Sequence, residues 1–91
     1  MYKVVLTQVK KDIVKLPPNI RLKLFEWAKD VETFGLEQVR KIPGYHDEPL
    51  KGNRLGQRSI RLNRAYRAIY NTIGDNTIVL VVVREVNKHD Y

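Results

Sequence analysis

The stretch QRSIRLNRAYRAIY, residues 57–70, decides how this chain folds. Ile60 and Leu62 alternate with Ser59, Arg61 and Asn63, the period-two pattern of a strand with one solvated face. Tyr66, Ala68 and Tyr70 alternate with Arg67 and Ile69 in the same way. A tight turn around Asn63 and Arg64 joins the two runs into a β-hairpin. Arginine recurs at 58, 61, 64 and 67, and positions 51 to 67 hold six cations and no acid. Such a run is often just a solvated face. Cations interleaved with aromatics on a short hairpin also suit a polyanion with exposed bases.

Downstream, Thr77 to Val83 is β-branched and nearly all apolar. That pattern predicts an inner strand covered on both faces, entered through a turn at Gly74-Asp75-Asn76. The segment after it, Arg84 to Tyr91, turns polar abruptly. Upstream, Ile42 to Gly56 reads as a long loop: Pro43-Gly44, Glu48-Pro49, Lys51-Gly52 and Gly56 punctuate it. Loops of this length in small domains are often functional. Leu36 to Lys41 adds a helical turn.

The N-terminal half begins with a strand over Tyr2 to Leu6, after which Thr7 is placed to cap a short helix. Val9, Ile13 and Leu16 fall on one face of that helix, and Pro17-Pro18 ends it. A longer helix opens at Pro18 or Asn19. Ile20, Leu24, Trp27, Ala28 and Val31 form its apolar stripe, Leu22, Phe25 and Phe34 widen it, and Gly35 stops it. The helical hairpin is expected to pack on a sheet; the other reading makes Trp27 and Phe25 an exposed anchor for a partner. The sum is a single α+β domain over residues 1–91, an N-terminal strand and two-helix hairpin packed on a small, mostly antiparallel sheet.

Ninety-one residues suffice for one core. The net charge of +7 favours nucleic acid, an acidic partner or an anionic surface. With no cysteine there are no disulfides, thiolate metal sites or Cys nucleophiles. No run is long and apolar enough to span a bilayer, and no secretion signal is visible, so a cytoplasmic protein with no membrane partner is expected. Two histidines without metal-ligand spacing argue against a metal, and no phosphate-binding glycine loop is present, so no cofactor is expected.

Cutting RNA without a metal needs a base for the 2′-hydroxyl, cations for the crowded phosphate and an acid for the leaving 5′-oxygen. Arginine suits the second role and neither of the others. The acid–base candidates outside the helices are Tyr45, His46, Asp47 and Glu48 in the loop, and His89, Asp90 and Tyr91 at the C-terminus. His89 titrates near neutrality when unperturbed.

The segment EPLKGNRLGQRSIRLNRAYRAIY, the ending VNKHDY and the order of elements resemble the RelE/HigB superfamily of toxins from type II toxin–antitoxin pairs. The likeness covers nearly the whole chain and is most specific at residues 48–52, at Tyr66-Arg67 with Tyr70, and at the terminal His89-Asp90-Tyr91. It implies a RelE-like microbial ribonuclease-type fold. It also implies a ribosome-dependent mRNA endonuclease that inhibits translation by 2′-hydroxyl attack on the adjacent phosphate. Its partners would be the ribosomal A site, mRNA and a cognate antitoxin, with operator DNA bound only through the toxin–antitoxin complex.

By the same resemblance Arg67 matches the arginine that stabilises the scissile phosphate, and Arg61 falls where RelE-like members place a lysine or arginine on the preceding strand. Glu48 matches the loop glutamate that serves as base in YoeB-like members. His89 and Tyr91 resemble the C-terminal His and Tyr of that branch, a proton donor and a base-stacking or positioning group. Asp90 matches an acid of HigB members that shares the acid–base work. Lys51, Arg54, Arg58, Arg64, Arg84 and Lys88 are the accompanying RNA-binding cations. Ser59 stands where RelE has a lysine, and HigB members carry histidine where this chain has Glu48, so the set mixes branches. Two other readings are a ParE-like inhibitor of DNA gyrase, and an RNA- or antitoxin-binding domain without catalysis.

Overall fold

A computed structural model describes residues 1–74 and 77–88. The hairpin anticipated at residues 57–70 is present: β3 (Arg58–Arg61) and β4 (Tyr66–Gly74) pair antiparallel, with Ile60 opposite Ala68. Asn63 closes the connection, its Oδ1 accepting from the backbone N–H groups of Ala65 and Tyr66 at 2.7 and 2.8 Å. The other strands are β1 (Tyr2–Val5), β2 (Glu48–Pro49) and β5 (Val79–Lys88). They form one sheet in the order β1-β5-β4-β3-β2, antiparallel except for β1 against β5.

Three helices, α1 (Lys10–Lys15), α2 (Pro18–Phe34) and α3 (Leu36–Arg40), follow β1. Pro18 fits the first position of α2 because a proline there forfeits no helical hydrogen bond. Gly35 ends α2 at φ 87°, its N–H bonded to the Val31 carbonyl at 2.9 Å. A Cβ there would sit 3.2 Å from the Tyr2 ring. The anticipated apolar stripe of α2 is buried and meets Ile60, Ala68, Tyr70, Val81, Val83 and Val86 in one core. Trp27 and Tyr70 lie at its centre, ring centroids 5.3 Å apart and tilted 47°. Such a pair contributes about 0.5–1.5 kcal/mol beyond its burial.

Several expectations are corrected. Leu22, Phe25 and Phe34 do not widen the stripe; they are 59%, 43% and 63% exposed. At roughly 100° per residue, Leu22 lies on the far side of α2 from Ile20. Trp27 is fully buried, so it is no surface anchor. Thr7 makes no capping bond; it opens a 3₁₀ turn, Thr7–Val9. The 42–56 loop is more structured than its composition implies. It holds the edge strand β2, two 3₁₀ turns and the buried Tyr45.

The inner strand begins at Val79 and runs through the polar segment to Lys88. It is an interior strand, paired with β1 and β4, but the helices cover only one of its faces: Val81 and Val83 join the core, whereas Val82 points the other way. Between Val83 and Glu85 the register with β4 slips by one residue, so that Arg84 is a β-bulge. No helix among the described residues is long and apolar enough to cross a membrane.

Candidate nucleic-acid interface

Strand alternation and register decide what the uncovered face of the sheet carries. Arg61, Arg67 and Asn87 stand side by side across β3, β4 and β5. The neighbouring row is Glu48, Ser59, Ile69 and Glu85, from β2 to β5. The fold therefore brings Glu48, Arg61 and Arg67 onto one face, although nearly twenty positions separate the first from the last. Like charges directly opposite on a sheet destabilise it by roughly 0.2–1 kcal/mol. The Arg61–Arg67 pair thus opposes folding slightly and concentrates positive charge. Arg67 extends an Nη1 to 3.5 Å from Ser59 Oγ, at the limit of a hydrogen bond.

The bulge changes the chemistry of β5. Plain alternation would turn Glu85 toward the helices with Val81 and Val83. The extra residue instead places both Arg84 and Glu85 on the open face. Arg84 donates from Nε to Asn71 Oδ1 at 2.6 Å. Glu85 takes a two-pronged bond from Arg54, 2.5 Å to Nη1 and 3.2 Å to Nη2, and accepts from Asn87 Nδ2 at 2.9 Å. The Arg54 fork and then Asn87 hold the Glu85 carboxyl below its ordinary range. Glu85 and Asn87 are absent from the sequence-derived candidates, because a bulge leaves no mark in hydropathy.

Arg58 goes elsewhere. It shares the helix-covered face with Tyr70 and donates from Nε to Asp47 Oδ1 at 2.5 Å. The Asp47 side chain is 1% exposed and that of Arg58 26%. Tyr70 donates its hydroxyl to the other Asp47 oxygen, also at 2.5 Å, and Arg40 Nε lies 3.4 Å from the same hydroxyl. Burial, then the Asp47 carboxylate, push the Tyr70 hydroxyl up to about 12. Burial opposes the charge of Arg58, but the Asp47 bond and charge outweigh it, and its pKa is raised. Of the loop acid–base candidates, Asp47 is thus committed to an internal network. Tyr45 is buried and donates to Asp30 Oδ2 at 3.0 Å, with its pKa raised by burial first and Asp30 second.

Glu48 remains exposed, with His46 Nε2 3.6 Å from its Oε1. His46 adopts a left-handed backbone, φ 49°. Lys51, Arg54 and Arg64 are exposed on the connections beside the open face, and Lys88 is exposed opposite Tyr66 at the end of β5. His89, Asp90 and Tyr91, the expected acid, alternate acid and stacking group, lie outside the described residues. Among the described residues no group of three or more His, Cys, Asp or Glu side chains is arranged to hold a metal.

The architecture is that of a known class of small toxins. The chain superposes on the YoeB/ParE toxin from Agrobacterium tumefaciens with a TM-score of 0.69 at 18% identity, covering 98% of each chain. Against the toxin–antitoxin complex RelBE2 from Mycobacterium tuberculosis the TM-score is 0.64 at 24% identity, over 98% of this chain and 96% of the other. Against YafQ from E. coli it is 0.65 at 14% identity, over 98% and 92%. No protein-family model and no curated protein matches the chain in sequence. The protein has the RelE/ParE-type toxin fold, and the resemblance drawn from its sequence holds at the level of the fold.

Proposed function

We propose that this protein is the toxin of a type II toxin–antitoxin pair and cleaves mRNA on the ribosome. The observation that carries this reading is the row of Arg61 and Arg67 on the uncovered face, one row from the exposed carboxylate of Glu48. A sheet that sets two arginines opposite each other, at some expense of stability, has charge to offer a phosphate.

In the proposed reaction Glu48 takes the proton of a 2′-hydroxyl. The freed oxygen attacks the adjacent phosphorus, and Arg67 and Arg61 stabilise the added charge on the pentavalent transition state. The bond to the 5′-oxygen breaks, leaving a 2′,3′-cyclic phosphate. His89 supplies the proton to the departing oxygen, with Asp90 as the other candidate, and Tyr91 stacks on a base; these three roles rest on the family resemblance. Lys51, Arg64, Arg84 and Lys88 contribute to the field that draws in RNA.

The antitoxin proposal is supported by the RelBE2 neighbour, a toxin–antitoxin complex. A cationic face of this kind repels itself and is stabilised by an acidic segment laid across it. The test is 5′-end mapping of mRNA after brief induction, with and without an inhibitor of translation initiation. New ends inside translated codons that vanish with the inhibitor are expected. Ends that persist would make the protein a free ribonuclease. Growth arrest with intact mRNA would favour gyrase, as in the ParE-like reading.

A further inference from the structure

The open face carries an acid on β5, Glu85, and that acid occupies the guanidinium fork of Arg54. Arg54 lies in the connection between β2 and β3, and Glu85 lies on β5, so their bond spans β3 and β4. The connection is thereby tied down over the Ser59–Ile69 row; Ser59 is only 3% exposed on a face no helix covers. Two parallel N–H···O bonds are the geometry in which arginine also binds a phosphate. We infer that Arg54 is an anion subsite beside the Arg61–Arg67 row, filled by Glu85 in the free protein and by a backbone phosphate of bound RNA in the complex. The inference rests on the proposed RNA-binding role of this face.

Three features favour exchange over a fixed bridge. The pair is exposed, at 46% and 34% of the two side chains, and exposed pairs are weak. The Arg58–Asp47 pair in the same domain is closed from water on the acid side and shared with Tyr70, so it is not exchangeable. Neither partner is orphaned by the exchange. Glu85 keeps the amide of Asn87 at 2.9 Å, and Arg54 keeps Gln57 Oε1 at 3.2 Å. Asn87 stands directly opposite Arg67, so the released carboxylate stays beside the phosphate row and repels a misplaced anion. Glu85 thus holds Arg54 in an ordered, partly neutralised state until a phosphate competes for it.

The test measures binding of a labelled single-stranded 2′-O-methyl oligoribonucleotide, whose blocked hydroxyl separates binding from cleavage. The proteins are wild type, Arg54→Ala, Glu85→Gln, the double variant and Arg67→Ala. Releasing Arg54 should tighten binding about two- to sixfold in Glu85→Gln. It should steepen the logarithmic salt dependence by about 0.7. Arg54→Ala should then weaken binding more in the Glu85→Gln background than in wild type, by that same factor. Equal costs in the two backgrounds would mean that Glu85 acts only as a distant charge. That would overturn the subsite, while weaker binding by Arg67→Ala would still support the RNA reading. No binding by wild type would overturn both.

Discussion

Tyr70 donates its hydroxyl to Asp47, joining the middle of β4 to the residue that precedes Glu48. The acid that holds the loop and the acid proposed for catalysis are thus neighbours in sequence with opposite fates. Asp47 is enclosed with Arg58 and Tyr70, and Glu48 is turned out on the edge strand. The network fixes where β2 starts and, through it, which face Glu48 takes.

Removing the buried carboxylate should therefore destabilise the whole domain. Asp47→Ala leaves the Tyr70 hydroxyl and the half-buried Arg58 without their acceptor, at a cost of about 2–4 kcal/mol. Tyr70→Phe deletes the bond to Asp47 and the longer one from Arg40, and should cost about 1–2 kcal/mol. Urea unfolding of the two variants measures both, and equal midpoints for Asp47→Ala and wild type would mean that Asp47 does not anchor the loop.

The raised Tyr70 pKa gives an alkaline signature. The folded state favours the neutral phenol, so this stability is fully present below the ordinary tyrosine value of 10.0 and is lost as pH rises through about 12. The loss should be roughly 2–3 kcal/mol across that window. Unfolding midpoints between pH 9 and 12 should fall more steeply in wild type than in Tyr70→Phe. Tyr45, also raised by burial, leaves the variant a residual slope.

Activity and stability should separate at the arginine row. Arg67→Ala should reduce ribosome-dependent cleavage by about 10²–10³-fold, the scale of losing a charge stabiliser in the transition state. Relief of the Arg61–Arg67 repulsion should leave the thermal midpoint unchanged or slightly higher. A variant that both unfolds and loses activity would point to a structural role instead.

Glu48→Gln should lower cleavage by about 10²–10⁴-fold with no loss of stability, because the carboxylate is exposed and, among the described residues, its ion pair is with the exposed His46. Single-turnover cleavage on programmed ribosomes distinguishes a slower chemical step from weaker binding. Unchanged chemistry would pass the base role to another group.

Antitoxin affinity should fall as salt is added if neutralisation works through the cationic face. The competing surface is mostly apolar: a groove lined by Leu6, Thr7, Lys10, Ile13, Val14 and Phe25. Affinity that ignores salt, measured by calorimetry from about 50 to 500 mM, would place the antitoxin there.

Local sequence was enough for the order of the helices and longer strands, the hairpin and the central stripe of α2. These rest on local periodicity and on Pro18 and Gly35, whose backbone preferences act without distant partners. It also marked Arg61 and Arg67 as facing away from Ile60 and Ala68, since alternation is a local property. Tertiary packing sets that Arg58 turns inward to Asp47 and that Phe25 is left half-exposed. Those outcomes depend on which surfaces meet. The same holds for Glu85, which reaches the open face because one residue of β5 bulges against β4, a register event between strands that no single-strand pattern records.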